Sequence, residues 1–127
     1  MSSTVLIEVP HFALFDVFES NSVEQGMTRE APGGARLELG RMPMEKRGGG
    51  LTHDALPIAT VLLSFGATVA VGVTINLFSN WLYDKLKANK AIRAMHVTKI
   101  RINRTEVELT LEGISRAISE SIEIEQE

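Results

Sequence analysis

The sequence predicts an α+β protein, and three features predict it. Short β-branched runs alternate with Pro and Gly breakers in the N-terminal part. A charge-free stretch, Ala55–Tyr83, is long enough for one extended helix. Beyond it lie two alternating segments and a terminal run with isoleucine at every fourth position. At 127 residues the chain has room for one ordinary domain. The expected organisation is a β-rich segment over 1–46, a Gly/Pro linker over 47–56, a long apolar helix over 57–88 and a β-hairpin with a C-terminal helix over 95–127.

Taken in order, Thr4–Val9 (TVLIEV) has the composition of a strand closed by Pro10. His11–Glu19 fits neither period cleanly and is expected as a further strand. Pro32-Gly33-Gly34 is a turn signal between hairpin arms at Gln25–Glu30 and Ala35–Leu39. "GRMPMEKRGGGLTHDALP" has linker composition, and Pro57 suits the first turn of a helix. Thr98–Ile102 and Glu106–Thr110 form a second hairpin. A two-residue loop at Arg104-Thr105 would set Arg101 against Glu108; one at Asn103-Arg104 would set Arg101 against Glu106 and Lys99 against Glu108. Both registers give an apolar and an ion-paired face. Ile114, Ile118 and Ile122 then mark a short amphipathic helix laid over the hairpin.

The charge-free stretch decides most of the functional expectation. Thr60, Ser64, Thr68, Gly72, Asn76 and Asn80 recur at four-residue spacing, a stripe expected to bring helices into close contact. Trp81 and Tyr83 stand at its C-terminal end, followed by Lys85, Lys87, Lys90 and Arg93. Those positions suit a membrane interface with the basic side cytoplasmic. Burial of the same helix in a soluble oligomer core gives a similar composition, and a strand pair broken at Gly66 or Gly72 stays open.

Chemistry is sparse. A net charge of -3 opposes general nucleic-acid binding, and the absence of cysteine excludes disulfides and thiolate metal sites. The N-terminus has no basic region and places Glu8 within its apolar run, so no secretory signal is expected. His11, His53 and His96 show no metal-ligand spacing, Ser64 lies in no nucleophile elbow, and no glycine run has phosphate-loop spacing. Asp16, Glu19 and Glu24 form an acidic cluster without a group to perturb them. No catalytic residue, metal or cofactor is therefore expected. Seven basic residues between Lys85 and Arg104 precede seven acidic ones between Glu106 and Glu127, as in two solvated faces that meet.

"NWLYDKLK", a basic link, "IRINRTEVELT" and "EGISRAISESIE" together resemble small bacterial modules associated with defence effectors. The resemblance covers about 68–123 and implies an adaptor or anchor role without catalysis. The expected function is a small self-associating adaptor tied to a membrane, with the hairpin and terminal helix docking an unidentified protein. The alternative is a cytoplasmic, soluble acidic binding protein or inhibitor whose apolar helix is an oligomer core.

Overall fold

β1, Ser3–Pro10, ends on a proline whose missing N–H cannot extend a ladder. The computed structural model describes residues 3–40, 58–65 and 72–126. After β1 the chain turns through a 3-10 segment, His11–Ala13, into α1, Leu14–Val17. The expected strand over His11–Glu19 is corrected here. Ala13, Leu14, Val17 and Phe18 are the buried positions, and spacing of one, four and five residues is helical rather than alternating.

β2 (Thr28–Ala31) and β3 (Ala35–Leu39) form the first hairpin, with Ala31 opposite Ala35 across the Pro32-Gly33-Gly34 turn. β4, Ile58–Phe65, follows, and the 47–56 linker lies outside the described residues. α2 spans Gly72–Ala88 and α3 spans Lys90–Ala94. β5 (Lys99–Ile102), β6 (Thr105–Glu108) and α4 (Leu111–Gln126) complete the chain. The strands make one six-stranded sheet in the order β2-β3-β4-β1-β5-β6, with each neighbouring pair antiparallel.

The single helix expected over 57–88 is corrected: its first part is a central strand and only its second part is helical. Ala59, Val61, Leu63 and Phe65 are buried in alternation with Thr60, Leu62 and Ser64. In α2 the buried positions are Ile75, Phe78, Ser79, Leu82 and Leu86, a helical period. Four residues is about one helical turn and also two strand periods. Thr60 and Ser64 therefore kept their spacing while lying on one face of a strand. Among the described residues no helix is long and apolar enough to cross a membrane, which overturns the transmembrane expectation.

One face of the sheet is covered. Val5, Ile7, Val9, Leu37, Leu63, Phe65, Ile100 and Ile102 join Phe78, Leu82, Ile114, Ile118 and Ile122 in one buried cluster. Each isoleucine of α4 that is fully buried this way stabilises by about 1.5–3 kcal/mol. Thr110 caps α4, its Oγ1 accepting from the Gly113 N–H at 2.9 Å. The opposite face carries Thr4, Leu6, Glu8, Thr60, Leu62, Ser64, Arg36, Glu38, Lys99 and Arg101, and the described helices pack on the first face only.

The second hairpin chose the Asn103-Arg104 loop, pairing Arg101 with Glu106 and Lys99 with Glu108. Both loop residues have positive φ, 54° and 68°, as a type I′ turn requires. Asn tolerates that conformation, whereas β-branched Thr105 resists it, so the shifted loop was excluded by backbone sterics.

Candidate functional site

Among the described residues β6 pairs with β5 alone and ends the sheet. In a two-residue hairpin the residues flanking the loop exchange backbone hydrogen bonds, and the pairing alternates from there. Thr105, Val107 and Leu109 thus bond inward, and the Leu109 N–H donates to the Thr98 carbonyl at 2.8 Å. The N–H and C=O of Glu106 and the N–H of Glu108 point outward. Among the described residues they have no backbone partner.

Alongside this edge runs a cleft of about 570 Å³ between β6 and α4. It exists because α4 starts tight against the end of β6: a Cβ at Gly113 would lie 2.7 Å from the Glu108 carbonyl oxygen. Val107, Gly113, Ala117 and Ser121 form its floor. Its charges are Glu106, Glu108, Glu112 and Glu120 against Arg116, so the lining is net acidic.

The open face of the sheet is a lattice of opposite charges. Glu30 faces Arg36, Glu8 faces Arg101 and Arg101 faces Glu106. Lys99 faces Glu108 and also reaches Glu106 diagonally at 3.5 Å. Two of these rows end at the sheet edge on a carboxylate.

A second polar cluster lies at the other edge. Glu19 pairs with Arg29 at 3.3 Å and with Lys85. Arg29 also donates to the Val17 carbonyl and stands 5.0 Å over the Trp81 ring, with Lys85 at 6.0 Å. The hydrogen bond from Lys85, then the charge of Arg29, hold the Glu19 carboxyl below its usual value of 4.5. Nearby, buried Asn89 caps α3 by accepting from the Ile92 N–H, while its amide donates to Asp16 at 2.6 Å. These groups join α1, β2, α2 and α3.

The expected contact stripe is dispersed. Thr60 and Ser64 are on β4, Gly72 opens α2, and Thr68 lies outside the described residues. Asn76 does touch another helix, accepting from the Ser115 hydroxyl of α4 at 2.8 Å. Asn80 donates to the Asn76 carbonyl within its own helix. Of the residues expected at an interface, Trp81 and Lys85 belong to the Glu19 cluster and Tyr83 pairs with Lys87 at 5.9 Å. Lys90 and Arg93 are exposed on α3. The four hairpin residues Lys99, Arg101, Glu106 and Glu108 come together as paired neighbours. The cleft residues Val107, Gly113, Ala117 and Glu120 were not singled out by the sequence. Finding them requires knowing that β1 inserts between β4 and β5, which leaves β6 as an edge.

Among the described residues no group of three or more His, Asp or Glu could hold a metal ion. The chain matches no family model, no curated protein and no solved structure.

Proposed function

We propose that this chain is a non-enzymatic acidic binding protein that takes an extended segment of a protein partner as an added strand beside β6. The observation behind this reading is the coincidence of outward backbone donors and acceptors at Glu106 and Glu108 with a cleft floored by α4. Strand addition uses main-chain bonds for affinity and alternate side-chain pockets for selectivity, and this edge offers both. Self-pairing of two copies through β6 is opposed, because Glu106 and Glu108 of each copy would confront like charges. The adaptor role implied by the resemblance fits this reading.

A displayed library of random ten-residue peptides provides the test. Binders selected on the wild-type protein should slow hydrogen exchange at the Glu106 and Glu108 amides. Glu106→Pro should abolish their binding while leaving the thermal melt within a few degrees, since a proline there removes an outward N–H and no ladder bond. Selected peptides that bind Glu106→Pro equally well, or leave both amides unprotected, refute the proposal.

A further inference from the structure

The chemistry of the partner strand follows from the rows of charge that end on β6, granting that β6 accepts a strand at all. Across the open face the sign alternates: Glu8, Arg101, Glu106 in one row and Lys99, Glu108 in the next. Each row stops at the edge on a carboxylate whose outer side has no strand beside it among the described residues. A residue placed opposite Glu106 or Glu108 by strand addition would share that open face, because directly opposed residues point the same way. The residue between them would face the other side, over Val107 and Ala117 in the cleft. Glu112 and Glu120 outweigh Arg116 on the cleft wall and add to the negative field.

We infer that the partner segment is basic and alternating, with Lys or Arg opposite Glu106 and Glu108 and an apolar residue between them over Val107. Two independent features of the structure select it: the charge rows that stop at β6 on one face and the Val107–Ala117 floor on the other. An acidic strand would set like charges against Glu106 and Glu108, and an uncharged strand would add no cross-strand ion pair. A basic strand continues the lattice already built between β1, β5 and β6.

Three blocked heptapeptides test this by fluorescence anisotropy: TKVKVKT and its counterparts with Gln or Glu in place of Lys. A same-charge control, KKTVVKT, cannot place its two adjacent lysines on one face. TKVKVKT should bind about tenfold more tightly than the Gln peptide, from two cross-strand pairs worth roughly threefold each or slightly more. The Glu peptide should be weakest, and the lysine advantage should shrink at 300 mM NaCl as charges are screened. The double variant Glu106→Gln, Glu108→Gln should shrink that advantage severalfold; an undiminished tenfold preference for TKVKVKT over the Gln peptide would refute pairing with these two carboxylates. If the Gln peptide or KKTVVKT protects the Glu106 amide and binds as tightly as TKVKVKT, the basic alternating partner is wrong and strand addition survives. If none of the four protects that amide, strand addition itself fails.

Discussion

The two edges of the sheet hold the same place in the topology and are finished in opposite ways. At β2 the edge is locked to the helices. Arg29 reaches Val17, Glu19 and the Trp81 ring, and the turn at Gly33 abuts the Thr74 backbone of α2. At β6 the close approach is confined to the end of the strand, where Gly113 of α4 abuts the Glu108 carbonyl; no ion pair or ring contact ties Glu106 or Glu108 to a helix among the described residues, and the strand borders a cleft. An edge strand must be protected from chance pairing. β2 achieves this with side-chain bracing; β6 carries like charge, which on the proposed reading would repel its own copies and admit a strand of opposite sign. The first device contributes to stability, and the second is the one proposed to give selectivity.

The largest effect is expected at the locked edge. Gly33 has φ 83°, and a Cβ there would lie 2.5 Å from the Thr74 carbonyl oxygen. Gly33→Ala should therefore cost about 3 kcal/mol through strain and the displacement of helix backbone, read from urea unfolding. A loss below 1 kcal/mol would show that the turn does not bear on α2. Next, Arg29→Ala removes a hydrogen bond, an exposed ion pair and a ring contact, and should cost roughly 1–2 kcal/mol. Binding at β6 should be unaffected; a parallel loss of peptide affinity would end the division of labour between the edges.

Arg101→Glu should cost about 1 kcal/mol by setting like charges against both Glu8 and Glu106. High salt should restore part of the melting temperature, and a salt-independent loss would mean that packing is responsible. The smallest effect concerns pH. Glu19 has a folded pKa below its ordinary 4.5, so its stabilisation is complete above the unfolded value and disappears as pH falls through the folded one. Between pH 5 and 3 the wild type should lose more stability than Glu19→Gln. Identical acid profiles would remove Glu19 from the β2 lock.

Periodicity was informative where only one structure fits it. Ile114, Ile118 and Ile122 are all buried in α4, as their spacing and the polar residues between them require. Thr4–Val9 and both hairpins formed near their expected bounds. The stretch from Thr60 to Asn80 misled because its four-residue interval suits strand and helix alike, and uniform apolarity hid the change of element. His11–Glu19 misled for another reason. A single helical turn is too short to show its period, and tertiary burial of Leu14 and Val17 fixes its shape.

Local chemistry in the sequence was enough to determine that β5 and β6 pair as a hairpin, through opposite charges at alternate positions and apolar residues between them; it left two registers, and the positive φ at Asn103 and Arg104 decided between them. The same local chemistry set the buried face of α4. What only the tertiary structure decided is which strands lie at the ends of the sheet. β1 pairs with both β4 and β5, joining residues far apart in the chain, and no residue of β6 encodes that event. Side-chain spacing acts over a turn or a strand pair, whereas sheet order is fixed by how the whole apolar set packs under α2 and α4. Glu106 and Glu108 are hairpin partners by sequence; that packing makes them the outer edge.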